Sequence, residues 1–302
     1  VHMKAGIMAA LAAFLSWGFL PLFWKQLVHV SPYEVVCHRI IWSCIFTAVL
    51  LTIMGRWKEV WAIRNQKKDM LAKLLASILL FANWLVFIWA VSSDYVLEAS
   101  LGYYICPLVF ALLSRMIFRD TLRPLQVLGI VLALAGVGNL VVSYGHFPWI
   151  AVSLALLFAG YGLINKIVSL KPIPGLFVET LYSLMPASAY LFYLGSTGRA
   201  GFLNLGQSTD VLLVCAGVVT TLPLMGFIFA AKRLKLVTIG MCQYIVPTCF
   251  FILGVLVFDE PFTHHHLITF VLIWAGVVVY LVENTIESRR GQGLAKPSQV
   301  SR

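Results

Sequence analysis

Tyr104-Ile105-Cys106-Pro107, followed by Phe110, returns 140 positions later as Tyr244-Ile245-Val246-Pro247, followed by Phe250. At the same spacing Phe87-Ile88-Trp89-Ala90 meets Phe227-Ile228-Phe229-Ala230, and Ala135-Gly136-Val137 meets Ala275-Gly276-Val277. Phe14, Trp17 and Gly18 meet Phe158, Tyr161 and Gly162 at a spacing of 144. One such match is unremarkable in an apolar chain. Four in near-constant register define an internal repeat.

The composition says where such a repeat can live. Of 302 residues, 61% are hydrophobic and only 11% charged, with a mean hydropathy of +0.92. Soluble domains run at about 45–50% apolar and about 25% charged. A soluble enzyme, a disordered chain and a disulfide scaffold are excluded, and an all-α polytopic membrane protein remains. A span needs about 20 apolar residues. Apolar runs separated by short polar, Pro or Gly joints predict ten transmembrane helices near 5–28, 33–54, 70–92, 95–118, 124–143, 148–168, 173–195, 210–231, 236–258 and 266–286. Only the joints 55–69 and 196–209 are longer than a few residues. The first apolar stretch runs straight into more of the same, as expected of a retained span rather than a cleaved leader.

Charge placement supplies orientation. With the N-terminus inside, 19 of the 22 Lys and Arg residues fall on the inner side, Arg56, Lys58, Arg64, Lys67, Lys68 and Lys73 among them. Both termini are therefore expected in the cytoplasm. The net charge of +10 is a topology signal, and no nucleic-acid partner is expected. Each repeat holds five spans, an odd number, so the second half enters the membrane inverted. The charges agree: Ser92-Ser93-Asp94 outside corresponds to Lys232-Arg233-Leu234 inside, and Arg119 and Arg123 inside correspond to Asp259 and Thr263 outside. The expected organisation is a five-helix repeat over 5–143, an inverted five-helix repeat over 148–286 and a cytoplasmic tail over 287–302. Such architectures place a substrate site near the midplane.

Particular stretches carry a family resemblance. Residues 34–42 (EVVCHRIIW), 83–90 (NWLVFIWA), 97–107 (LEASLGYYICP), 217–223 (GVVTTLP) and 243–247 (QYIVP) resemble the RarD branch of the EamA-type transporters, in the drug/metabolite transporter superfamily. The resemblance covers nearly all of residues 5–286. It implies ten helices in two inverted repeats, a bacterial inner-membrane location and transport of small organic molecules such as amino acids, metabolites or drug-like compounds, often outward. The run His264-His265-His266 departs from that pattern.

Ionisable groups in a bilayer core are costly and call for a reason. Arg39 and His38 lie on the second span, Glu34 at its outer mouth, Glu98 on the fourth span and Glu179 on the seventh. Glu34, His38 and Trp42 follow i, i+4, i+8 and share one face. Glu179 repeats Glu34 at a spacing of 145. Arg39 is a candidate to bind a carboxylate through its planar fork of donors; the alternative is an Arg39–Glu pair that only locks helices together. Glu98 or Glu179 would take an amino group or a coupling proton. His38 is read either as a proton relay or as a packing residue. Asn83 and Trp84 on the third span, with Trp42, Tyr104, Gln243 and Tyr244, offer polar groups and aromatic faces to an amphipathic solute. Pro107 and Pro247 stand at matching repeat positions and are candidate hinges; a kink that merely improves packing is the alternative.

Six cysteines sit in apolar runs without a C-x-x-C pair, and three adjacent histidines cannot all face one ion, so no metal site and no cofactor are expected. No nucleotide-binding or hydrolase motif occurs, so the chain is not expected to be an enzyme. The expectation is a secondary transporter working by alternating access, with a small-molecule substrate and the bilayer as partners, and with a homodimer admitted. A membrane-embedded enzyme and a non-transporting sensor or assembly factor are the alternatives.

Overall fold

Long apolar runs punctuated by proline and glycine dictate helix after helix. The computed structural model describes residues 2–63, 66–92, 96–145, 147–257 and 264–294. In chain order the elements are α1 (His2–Trp24), a short 3-10 turn (Lys25–Leu27), α2 (Pro32–Ile53), α3 (Trp57–Ile63), α4 (Lys67–Ser92), α5 (Val96–Ile117) and α6 (Pro124–Tyr144). They continue with α7 (Trp149–Ile167), α8 (Pro172–Ser196), α9 (Gln207–Ala231), α10 (Leu236–Gln243), α11 (Ile245–Val257) and α12 (His264–Leu294). The described residues contain no strand.

Pro32, Pro124 and Pro172 open α2, α6 and α8, where the missing N–H has no helical partner to lose and φ is already helical. The Gln126 side chain turns back to accept the Arg123 N–H at 3.0 Å, satisfying a donor at the start of α6. Gly145 ends that helix at φ 74°, a left-handed turn that glycine adopts without strain.

Six helical segments are long and apolar enough to cross a membrane: Met3–Leu27, Pro32–Ile53, Lys67–Phe87, Pro124–Ser143, Trp149–Ile167 and Gln207–Ala231. The apolar stretches Leu101–Ile117, Leu236–Cys249 and Leu267–Glu283 are shorter, and α8 carries Glu179, Thr180 and Ser183 mid-helix. The long joint 55–69 holds α3, and residues 197–206 form a loop with Gly198 at φ 66° and Gly206 at φ 106°. Large apolar side chains point out of the bundle: Val142 is 80% exposed, Phe192 79% and Met185 80%. Water would not tolerate such a girdle; acyl chains do. The chain is a multi-pass membrane protein.

Packing pairs helices that are distant in sequence. α6 lies along α12, α2 against α8 and α9, α4 against α7 and α8, α5 against α7 and α10, and α1 against α9, α10 and α11. The α6–α12 seam is backbone on backbone: a Cβ added to Gly129 would stand 2.6 Å from the Gly276 carbonyl oxygen, and one on Gly136 3.0 Å from that of Thr269. Asn139 bridges the same seam, donating to Thr269 Oγ1 at 3.1 Å and to the His265 carbonyl at 3.0 Å. His265 therefore sits beside Asn139; the side chain of His266 lies outside the described residues. Pro107 passes within a continuous α5, whereas the span containing Pro247 is interrupted at Tyr244 between α10 and α11.

Candidate functional site

Arg39 lies seven residues into α2, about 10 Å along the helix at 1.5 Å per residue, and its side chain is partly buried inside the bundle. Its Cζ stands 4.7 Å from the Trp24 ring centroid and 4.4 Å from that of Trp84, within the range of cation–π attraction. Nε donates to Thr220 Oγ1 on α9 at 2.9 Å. No carboxylate among the described residues pairs with this guanidinium, and its two terminal amino groups make no hydrogen bond among them. Tyr103 on α5 lies within electrostatic range. One turn on, Cys106 lies close to Gln243 at the end of α10.

Three buried polar atoms have no hydrogen-bond partner among the described residues: Thr221 Oγ1, Gln243 Oε1 and Tyr244 Oη. Two of them sit at the break between α10 and α11. Pro247 has no N–H to offer the Gln243 carbonyl four residues back, so the break also exposes a main-chain acceptor. Polar groups without a full set of partners among the described residues thus occur both on α2, at Arg39, and at the α10–α11 break. Trp84 also packs against Val36, Cys37, Ile40 and Ala187. Next to that cluster a cavity of about 150 Å³ opens between α2, α4 and α8, lined by Tyr33, Cys37, Phe81, Leu85, Pro186 and Tyr190 among others. It is apolar and does not include Arg39.

Other predicted site residues have different occupations. Trp42 donates to His38 Nδ1 at 3.2 Å, while His38 Nε2 lies 3.9 Å from Glu34 and its ring 4.7 Å from Phe202. Glu34, His38 and Trp42 form one continuous polar stripe. Glu34 faces the 197–206 loop and accepts the Gly201 N–H at 2.9 and 3.0 Å and the Phe202 N–H at 3.0 Å. Asn83 donates to the Leu154 carbonyl at 3.0 Å, a bond that ties α4 to α7. Tyr104 is buried in the cluster with Val137, Tyr244 and Ile273, facing away from Tyr103. The side chain of Glu98 lies outside the described residues.

Glu179 is paired with Lys73, which the sequence counts among the inner-side charges. Lys73 Nζ lies 2.6 Å from Glu179 Oε1 and 2.5 Å from Asn165 Oδ1, and the Tyr161 hydroxyl donates to Glu179 Oε2 at 3.1 Å. Both charged side chains are essentially unexposed, at 0% and 1%. The signal was present: Lys73 falls inside the span assigned from residue 70. Around this network the α3 end of the bundle is laced by polar contacts, Ser169 to Asp69, Lys171 to Glu59, Lys235 to Asp120 and Arg123 to Glu283. The Arg56 fork, helped by Lys171, holds the Glu59 carboxyl down at about 2. Burial, with Lys73 nearby, pushes the Lys232 ammonium down to about 8. Among the described residues no three His, Cys, Asp or Glu side chains gather as a metal ion would require.

An all-helical membrane bundle with charge held in its interior is the frame of a solute carrier. Residues 4–142 match the model of the EamA-like transporter family. An uncharacterized transporter of Vibrio cholerae is 41% identical over 280 residues, 93% of each chain. Protein RarD of Escherichia coli is 36% identical over 287 residues, 95% of this chain and 97% of that one, and the uncharacterized transporter YojE of Bacillus subtilis is 41% identical over 92% of this chain and 93% of its own. The chain belongs to the RarD branch of the EamA-like transporter family, and is a membrane transporter. A solved crystal structure superposes with a TM-score of 0.68 at 19% identity, covering 93% of this chain and 99% of that one, a likeness of fold.

Proposed function

We propose that the protein is a secondary transporter that moves small organic solutes across the bacterial inner membrane by alternating access, outward in the physiological direction. The observation that carries this is Arg39: a cation inside the bundle with indole rings beside it and no carboxylate partner among the described residues. With no acid beside them among the described residues, the terminal amino groups suit a carboxylate or another oxygen-rich group arriving end-on, while Trp24 and Trp84 suit an attached apolar body. Gln243, whose Oε1 has no partner among the described residues, is a further solute contact at the broken span, and Pro107 and Pro247 serve as hinge points. Glu98, Glu179 and His38 are the candidate proton carriers.

Ten spans arranged as two inverted five-helix repeats, with both termini in the cytoplasm, complete the reading. What supports it is the packing: exchanging α1, α2, α4, α5 and α6 for α7, α8, α9, α10–α11 and α12 carries every packed pair named above onto another packed pair or onto itself. The test is solute flux in proteoliposomes. Arg39→Gln is expected to abolish flux of carboxylate-bearing solutes in protein that still elutes as a single folded species. Unchanged flux would make Arg39 structural. Single cysteines at positions 92 and 232 are expected to label from opposite faces of the membrane; labelling from one face overturns the inversion.

A further inference from the structure

We propose that Lys73 is a latch residue, whose bond to Glu179 holds the α3 end of the bundle shut and must open in each transport cycle. The inference rests on the two-half reading above, with the α3 end cytoplasmic. Lys73 belongs to α4 in the first half, and each partner of its ammonium belongs to the second: Glu179 on α8 at 2.6 Å and Asn165 on α7 at 2.5 Å. The contact therefore crosses the seam along which the halves separate.

Three features distinguish a latch from a brace. First, the second half keeps one hydrogen bond to its carboxylate when Lys73 leaves, because the Tyr161 hydroxyl donates to Oε2 at 3.1 Å and Asn165 anchors to the Tyr161 carbonyl at 3.1 Å. Second, the departing cation has somewhere to go. Lys73 is only six residues from the start of α4, and a four-carbon stem lets its ammonium reach the aqueous face. Third, its slot is built from an absence: a Cβ on Gly175, at the start of α8, would stand 2.8 Å from Lys73 Nζ and 3.0 Å from Cε. The bare backbone receives the side chain without gripping it. Four further cross-half contacts at this end, Asp69 to Ser169, Glu59 to Lys171, Asp120 to Lys235 and Arg123 to Glu283, lie near water and exchange readily.

The test puts a reporter thiol at Ser77, buried one turn along α4 from Lys73 and donating to the Glu179 carbonyl at 2.8 Å across the same seam. Ser77→Cys protein in proteoliposomes is reacted with a maleimide, and modification is read cysteine by cysteine by mass spectrometry. Native Cys37, buried in the outer part of α2, is the internal control. Adding Glu179→Gln is expected to speed modification at position 77 by about tenfold or more. Adding Gly175→Ala, which displaces Lys73 without touching a charge, is expected to speed it about threefold. Cys37 stays unchanged in both. The latch is overturned if position 77 in folded protein reacts no faster than in the parent, or if Cys37 rises in step, the mark of general loosening. Should Glu179→Gln fail to fold, Gly175→Ala decides alone. Labelling needs no solute, so absent flux with a responsive position 77 would sink the solute reading and leave the latch standing. Normal flux with a silent position 77 sinks the latch alone.

Discussion

Glu34 and Glu179, 145 positions apart in the sequence, are both buried, at 1% and 2% exposure, and both tie one part of the bundle to another. They do so with different chemistry. At the α3 end Glu179 meets a side-chain cation, which a single substitution or a helix movement can remove. At the far end Glu34 meets the Gly201 and Phe202 amides, donors that no substitution other than proline can delete. A carboxylate held by charge is strong and breakable in one step; one held by main-chain N–H groups fixes a loop and tolerates changes of sequence around it.

The sharpest way to break this contrast is to strand one charge. Lys73→Met leaves Glu179 without its cation in an apolar interior, and thermal or denaturant unfolding is expected to show a loss of about 3–5 kcal/mol. The double change Lys73→Met with Glu179→Leu is expected to recover most of it, because paired apolar groups carry no desolvation cost. At the other end Glu34→Ala leaves two buried N–H groups unpaired and is expected to cost about 2 kcal/mol, with amide exchange accelerating first at Gly201 and Phe202. Gly201→Ala comes next. The new methyl would stand 2.9 Å from a Leu205 methyl and 3.3 Å from Glu34 Oε2; Leu205 can yield, so a loss of about 1 kcal/mol is expected in the same unfolding measurement.

The smallest effect is an acid one at the surface of the α3 end. The Glu59 carboxyl is held below its ordinary value by Arg56 and Lys171, at about 2. A depressed carboxylate contributes stability that is complete above its unfolded pKa and lost as pH falls through the folded one. Docking of α3 should therefore weaken between about pH 4.5 and 2, seen as rising exchange in residues 57–63, while Glu59→Gln protein is already loose at neutral pH.

Much of this architecture was legible because apolar length, proline positions and Lys/Arg placement are local signals. The stripe Glu34–His38–Trp42 could be read from spacing alone, since three residues four apart must share a helix face. Helix rotation could not. In a soluble helix the polar side marks solvent, but here lipid and core are both apolar and the pattern gives no azimuth. Hence Tyr104 was singled out although its neighbour Tyr103 is the ring near Arg39, and Trp24 and Thr220 passed unnoticed. Lys73 was missed for a different reason: a lysine near a helix end looks like a surface charge until the acid that buries it is known. Asn83 has the chemistry of a solute contact, yet its partner, the Leu154 carbonyl, is main chain that no side-chain pattern announces.

The glycine seam between α6 and α12 reaches beyond packing. In the proposed two-half arrangement those helices are the last of each half, and between Gly129, Gly136 and their neighbours the backbones meet in a single register. Covalent continuity beyond Gly145 is then expected to be dispensable. Fragments 1–145 and 146–302, made from separate messages in one cell, should find each other in the bilayer and co-purify, and replacing Gly276 by leucine should leave them strangers.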